Sequence, residues 1–155
     1  MTEARAMDSL EDLRELYQEV ILDHSRHPRH FGKLPGATAQ AQGYNPLCGD
    51  QLTVYLRLED QRIAEASFEG KGCALCLASA SLMTGSVRDR DPADADRLVG
   101  EVQRLCTTEG YETEELEALL PLSGVSRFPV RVKCATLPWH TLRAALAGER
   151  EATTE

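Results

Sequence analysis

The sequence has few aromatic residues and a shortage of positive charge. Phe, Trp and Tyr make up 5% of its 155 residues, so the core of the one domain that this length suits must depend on Leu, Val, Ile and Ala. Lys and Arg number 17 against 25 Asp and Glu, a formal charge of −8. Nucleic-acid binding needs a basic face, so the charge argues against that function, whereas an acidic surface suits a basic protein partner.

Long hydrophobic runs are also missing. No apolar run approaches the ~20 residues that cross a bilayer, and residues 1–9 carry acidic side chains without the apolar stretch of a signal peptide. We therefore expect a cytoplasmic protein without a membrane partner. Five cysteines cannot all pair as disulfides within one chain, and in a reducing compartment metal binding or thiol chemistry is the better interpretation of Cys48, Cys73, Cys76, Cys106 and Cys134.

Hydrophobic periodicity predicts a helix near the N-terminus. Asp8 followed by Glu11 is a capping-box pattern, and the helix should end before Pro28. His27 and His30 continue a three-residue spacing from His24, but Pro28 interrupts the helical face that they would share. We interpret these histidines as a solvated helix end. The apolar face of the helix consists of Leu13, Leu16, Tyr17, Val20, Ile21 and His24.

The remaining pattern predicts an α+β fold. Alternating apolar residues over 52–58 predict a strand, 62–68 can return as the second strand of a hairpin, and 38–44 is an ambiguous third. We expect one domain over residues 1–155, a small antiparallel three-stranded sheet packed on one side by several helices. Polar tails at 1–8 and 147–155 should be flexible. Further helices are predicted over 74–88, from Pro92 after the N-cap Asp91, near 113–120, and from Pro138 to Leu146, with an irregular segment over 122–132.

Cys48, Cys73 and Cys134 share a sequence context that suits chemistry. Each lies at a turn or a helix start, where a thiol can project from a bend and where the helix N-terminus favours the thiolate. Asp50 could reach the same centre, and three thiolates with one carboxylate satisfy tetrahedral Zn²⁺. Spacing alone leaves a second interpretation equally open, because a free cysteine is often only a small buried side chain.

The charge of such a site would need compensation. Zn²⁺ with four anionic ligands leaves a net charge of about −2. Arg131 and Lys133 flank Cys134 closely enough in sequence to offset it. A carboxylate is a harder and weaker partner for zinc than a thiolate, so Asp50 should make the site more exchangeable than a four-cysteine structural one.

Cys73 and Cys76 form a CxxC motif, which occurs both in zinc sites and in redox-active cysteine pairs. A zinc knuckle needs a second such pair, and a thioredoxin-like pair should follow a strand of a βαβ unit, whereas a predicted hairpin precedes this one. Cys76 could still trap Cys73 as a disulfide under oxidation. Cys106, at the end of a predicted helix, is interpreted as a core residue.

The sequence also resembles a known family. In order, the motifs are LY, VILDH and PR between residues 16 and 29, NPLCGD from 45, FEG and GC from 68, ASASLMT from 78, and RVKCATL with a following Trp from 131. Over residues 13–146 they resemble the SufU and IscU proteins of iron–sulfur cluster assembly. The resemblance is closer to SufU, because the stretch between Cys73 and Cys134 is long and Lys133 stands where IscU scaffolds carry a histidine ligand. Cys76 stands where SufU proteins usually have serine.

The resemblance implies a function for these residues. Cys48, Asp50, Cys73 and Cys134 would bind zinc, and Cys48 would accept persulfide sulfur from a SufS-type cysteine desulfurase, whose own cofactor is pyridoxal phosphate. The chain would then be a zinc-dependent sulfurtransferase, a relay rather than a free-standing enzyme, acting before downstream SufBCD-type assembly proteins. Two alternatives stay open: an IscU-type scaffold with a transient iron–sulfur cluster, and a structural zinc module that only docks partners.

Overall fold

The first described element is the predicted N-terminal helix. The structure, a computed structural model, describes residues 15–153, and residues 15–26 are helical (α1) and end before Pro28 as predicted. The capping box of Asp8 and Glu11, with the N-terminal tail, lies outside the described residues. Within residues 15–153, no helix is both long and apolar enough to cross a membrane.

The sheet has four strands in the order β3-β2-β1-β4. Strands β1 (Ala39–Asn45), β2 (Asp50–Glu59) and β3 (Arg62–Lys71) pair antiparallel, which confirms the hairpin and its third strand. The expectation of a three-stranded antiparallel sheet was wrong, however, because β4 (Glu151–Thr153) adds to β1 in parallel. This strand lies in the segment expected to be a flexible tail. Residues 151–153 are too few to show the alternation of apolar and polar side chains that would predict a strand. The pairing depends instead on the open edge of β1.

Three α-helices and a 3₁₀ segment follow the hairpin. The helices are α2 (Ala74–Ser86), α3 (Pro92–Thr107) and α4 (Pro129–Leu146), with the 3₁₀ segment Glu114–Arg127 between the last two. The predicted start of α3 is confirmed, since Asp91 accepts a hydrogen bond of 2.7 Å from the Asp94 N–H.

The predicted start of the last helix, at Pro138, was wrong. Helix α4 begins nine residues earlier, at Pro129, and Pro138 lies buried inside it. Pro129 suits a first turn because its missing N–H would have no partner there. Pro138 costs one internal hydrogen bond, and the packing of α4 on β1, α2 and α3 offsets this loss.

The helices pack together over the sheet around an aliphatic core. The apolar residues of α3 recur at helical spacing, and the stripe that they form is buried: Ala95, Leu98, Val99, Val102 and Leu105 are each at most 1% exposed. Cys106, fully buried beside that stripe, is confirmed as core. Trp139 of α4 donates its indole N–H to Ser79 of α2 over 3.0 Å, and Ser79 donates to the Ala135 carbonyl. These contacts fix α2 against α4.

Close packing of α4 on the sheet determines where the site forms. A Cβ at Gly43 of β1 would lie 2.0 Å from Thr141 Oγ1, so only glycine allows this approach. As a result, three segments meet at one end of the sheet: the first turns of α4, the N-terminus of α2, and the turn between β1 and β2.

Candidate metal centre

Cys48 lies in the turn between β1 and β2, and its side chain is exposed. Buried Asn45 shapes this turn: its carbonyl accepts from the Gly49 N–H over 2.8 Å, and its side-chain oxygen accepts from the Leu47 N–H over 3.3 Å. Gly49 has φ +72°, a conformation that favours glycine. The turn therefore holds the Cys48 thiol at the surface on a defined backbone.

Asp50, the first residue of β2, is 1% exposed. Its Oδ1 accepts from the Cys73 N–H over 2.9 Å, and its Oδ2 lies 4.0 Å from Cys73 Sγ. A buried carboxylate ordinarily has a cation beside it, yet none of the ion pairs formed between residues 15 and 153 includes Asp50. The position of this carboxylate suits a cation that is not a protein side chain.

Cys73 is the N-cap of α2 and is half-buried. Its Sγ accepts from the Cys76 N–H over 3.4 Å. A sulfur therefore caps this helix, where a side-chain oxygen is usual. The preceding Gly72 leaves room for these groups, because a Cβ there would lie 3.1 Å from Asp50 Oδ1 and 3.3 Å from Cys76 Sγ. The positive end of α2 thus faces both Cys73 and Asp50.

Cys134, in α4, completes the cluster from the helical side. Its Sγ lies 3.4 Å from Cys48 Sγ and 3.8 Å from the side-chain nitrogen of Asn45. Burial, followed by the hydrogen bond with the Cys48 thiol, raises the pKa of the Cys134 thiol. Asn45, which sequence reasoning did not single out, therefore contacts both the Cys48 turn and the Cys134 thiol; its position before Pro46 indicated only a turn.

The donor set fits a zinc ion. One ligand atom each of Cys48, Asp50 and Cys134 lies within 4.8 Å of the other two. The Cys73 thiol, the fourth predicted ligand, lies outside this group and contacts it through Asp50, whose Oδ2 is 4.0 Å from Cys73 Sγ. Thiolates with one carboxylate are ligands that Zn²⁺ accepts in tetrahedral sites. No histidine belongs to the cluster formed within residues 15–153. All four residues selected from the sequence therefore lie at one end of the sheet.

Arg131 and Lys133 are not brought into contact with these ligands. Both side chains are exposed, and Lys133 lines a groove between α3, α4 and β4 with Thr136 and His140. The offset of ligand charge by these two residues stays a prediction.

The predicted solvated helix end holds for His27, which is exposed, whereas His24 and His30 make contacts that the prediction did not include. His24 is half-buried and hydrogen-bonds Ser81 over 2.7 Å, while His30 hydrogen-bonds Thr84 over 3.0 Å. Burial lowers the pKa of His24. These contacts attach the segment after α1 to α2, which the spacing of the histidines alone could not show.

Comparison with known proteins identifies the family. The model of the NifU-like N terminal domain matches residues 16–151. The chain belongs to this family. Among curated relatives of this NifU-like domain, the iron–sulfur cluster assembly scaffold protein IscU of Thermotoga maritima is 37% identical over 84% of this chain and 92% of its own. The zinc-dependent sulfurtransferase SufU of Bacillus subtilis is 35% identical over 89% of this chain and 94% of its own.

A solved structure supports the same fold. The crystal structure of a protein from Fervidobacterium islandicum, described as a putative iron–sulfur cluster assembly scaffold for the SUF system, has a TM-score of 0.78 and 30% identity. It covers 83% of this chain and 94% of its own. The predicted membership of the SufU/IscU-type family is therefore confirmed.

Proposed function

We propose that this NifU-like chain is a zinc-dependent sulfur acceptor that relays persulfide sulfur from a SufS-type cysteine desulfurase to iron–sulfur cluster assembly. The observation that carries the proposal is that an exposed thiol, Cys48, lies close to the buried thiol of Cys134 and the buried carboxylate of Asp50, which in turn contacts Cys73. The similarity to a relative named as a zinc-dependent sulfurtransferase supports it.

Cys48 is the residue suited to accept sulfur. It is the exposed member of the set, whereas Cys73 is half-buried and Cys134 is buried. Its thiolate would attack the outer sulfur of a persulfide on the desulfurase. A new S–S bond then forms at Cys48, the donor's S–S bond breaks, and the donor cysteine leaves as a thiolate. No electrons are gained or lost overall, so the transfer needs no oxidant or reductant.

Asp50, Cys73 and Cys134 would hold the zinc ion together with Cys48, and would keep it in place when Cys48 exchanges. Bound zinc keeps coordinating thiols ionised at neutral pH. Asp50 accepts the Cys73 N–H and so positions that cysteine, and Asn45 contacts Cys134. Because a carboxylate is the weakest zinc ligand of the four, Asp50 makes exchange at Cys48 easier than in an all-cysteine site.

The surface beside Cys48 suits a protein partner. Leu47 is 63% exposed next to Cys48, and Val130, whose carbonyl lies 4.0 Å from Cys134 Sγ, is 55% exposed. Phe128 is exposed at the start of the same helix. Apolar side chains around a reactive thiol would exclude water when the desulfurase docks, and the net charge of −8 favours a basic docking face.

A second candidate is an IscU-type scaffold that carries a transient iron–sulfur cluster. Several relatives are named as scaffolds, including the one from Thermotoga maritima. The cluster formed within residues 15–153 contains no histidine. Lys133, whose side chain is exposed, stands where the IscU scaffolds that the sequence resembles carry a histidine ligand. This difference favours the relay.

The test is metal content paired with desulfurase turnover, on full-length protein purified without added metal. One zinc ion per chain, with turnover of a SufS-type enzyme raised and then lost on chelation, is the expected result. Iron and sulfide in place of zinc, without stimulation of turnover, would establish the scaffold. Stimulation that persists in Cys48→Ala would show a zinc module that only docks the partner.

A further inference from the structure

Cys76 is a thiol beside the metal centre that the proposed function does not use. It is 1% exposed, in the first turn of α2. Its backbone N–H points at Cys73 Sγ over 3.4 Å, and its Sγ lies 3.3 Å from where a Gly72 Cβ would be. Gly72 therefore keeps the space next to the Cys76 sulfur open on the side of Cys73 and Asp50.

The spacing of the two cysteines permits a disulfide. Residues three apart within a helix have Cβ atoms about 5–6 Å apart, which is more than the ~3.5–4.5 Å of a disulfide. Cys73 is an N-cap with ψ 163°, outside the helical conformation, so a small change in its own backbone dihedral angles can bring its Cβ toward Cys76 without unwinding α2. The two thiols also differ in access, because Cys73 is half-buried and Cys76 is buried.

We propose that Cys73 and Cys76 form a reversible oxidation site for peroxides, which removes Cys73 from the ligand set and releases the metal. The inference rests on the proposed zinc role of Cys73. Cys73, the more accessible thiol, attacks the peroxide: an S–O bond forms, the O–O bond breaks, and water leaves. Cys76 then attacks the Cys73 sulfur: the S–S bond forms, the S–O bond breaks, and a second water leaves. Two thiols are oxidised and one peroxide is reduced.

The disulfide would act on the centre through its effect on Cys73. A sulfur in a disulfide is no longer a thiolate donor, so the set falls from three thiolates to two. The buried Cys76 sulfur also protects Cys73, because a sulfenic acid that condenses with a neighbouring thiol escapes irreversible oxidation to sulfinic acid. A dithiol reductant would then restore the site.

The first experiment tests the disulfide itself and needs no metal. Metal-free full-length protein is treated with hydrogen peroxide, its remaining thiols are blocked, and tryptic peptides are analysed by mass spectrometry. The peptide 72–88 contains both cysteines, and we expect it to lose two hydrogen atoms and to regain them with a dithiol. Cys48 and Cys134, with sulfurs 3.4 Å apart, form the competing pair. If the peptide 72–88 keeps both thiols while Cys48 and Cys134 pair, the proposal is overturned.

The second experiment tests the consequence for zinc. Zinc-loaded protein is treated with peroxide beside a chromophoric chelator, reduced, and assayed again for zinc capacity. Wild type should release its zinc and recover its full capacity, whereas Cys76→Ala and Cys76→Ser should lose capacity permanently as Cys73 becomes a sulfinic acid. Cys106→Ala, which changes a buried cysteine in α3, should behave as wild type. Full recovery in both Cys76 variants would contradict the proposal, and failure of untreated wild type to bind zinc would instead contradict the proposed function.

Discussion

The end of the sheet where the candidate ligands meet (the ligand end) and the core around α3 both contain cysteines, but these cysteines have different environments. At the ligand end, Cys48 lies in a turn and Cys73 at a helix N-cap, and Cys134 is in contact with the Cys48 thiol. In the α3 core, Cys106 is fully buried, and burial alone raises its pKa to about 12. We therefore expect a cysteine here to react when it lies beside other donor side chains, and to be inert when apolar side chains surround it.

The two regions should therefore respond differently to substitution. Changes at the ligand end should alter sulfur acceptance or zinc affinity with little effect on folding. Changes in the α3 core should alter the free energy of unfolding and leave zinc stoichiometry unchanged.

The largest effect is expected from Cys48→Ala. Removing the exposed thiol should reduce sulfur acceptance from a desulfurase to background, because no other ligand cysteine is exposed. Bound persulfide is measured by mass spectrometry after a single turnover. Cys106→Ala is the matched control and should accept sulfur normally. Persulfide on a Cys48→Ala protein would show that another thiol is the acceptor.

Leu105→Ala should have the largest effect on stability. Leu105 is fully buried in α3, and truncation of a buried leucine costs about 2–5 kcal/mol through lost burial and a cavity. Urea unfolding of the metal-free protein measures this loss, with Gln103→Ala, at an exposed position of the same helix, as control. The folded variant should still bind one zinc ion per chain. Loss of zinc from folded Leu105→Ala would mean that the two regions are not independent.

Asp50→Asn should weaken zinc binding at least about 10-fold, the scale found when groups that support metal ligands are removed. The amide keeps the size of the side chain but loses the charge that faces the site. Competition with a chelator of known affinity measures the change. Asp60→Asn removes the same charge at an exposed hairpin turn with φ 52°, which asparagine tolerates. Equal affinities of the two variants would exclude Asp50 as a ligand.

Glu115→Gln should have the smallest effect, a small loss of stability at neutral pH that disappears as the pH falls. Hydrogen bonds from Arg97 and Arg90 lower the pKa of Glu115 below its usual 4.5. A lowered pKa stabilises the folded state above the usual value, and this contribution is lost as pH falls through the folded value. At neutral pH the variant should lose less than about 1 kcal/mol, with a flatter decline toward acid in thermal unfolding. Glu114→Gln is the control, and a decline as steep as wild type would show that this ion pair does not contribute.

Local sequence patterns predicted much of the fold. The hairpin, the capped start of α3 at Asp91 and the buried stripe from Ala95 to Leu105 all follow from signals within a few residues. The start of α4 did not, because a proline can begin a helix or interrupt one. Pro129 begins α4 and Pro138 lies inside it, and only the packing of the helix distinguishes the two cases.

The candidate site divides in the same way. Cys48, Asp50 and Cys73 could be selected from the sequence because each stands beside a turn or a helix start. Cys134 was expected at a helix start as well, but it lies inside α4, five residues after Pro129. Asn45 could not, since its contact with Cys134 joins residues that are far apart in the chain. Arg131 and Lys133 are adjacent to Cys134 in sequence, but their exposed side chains have no described contact with the ligands, because neighbouring residues of a helix point in different directions.

The sequence by itself determined the class of fold, the identity of the potential ligands and the local bends that present them, because these depend on side-chain chemistry and short-range periodicity. The tertiary structure alone decided that β4 extends the sheet at β1 and that Cys134 meets Cys48 across 3.4 Å. It also decided that His24 hydrogen-bonds Ser81. Each of these contacts joins segments distant in sequence, so it forms only when burial of the shared core holds those segments together.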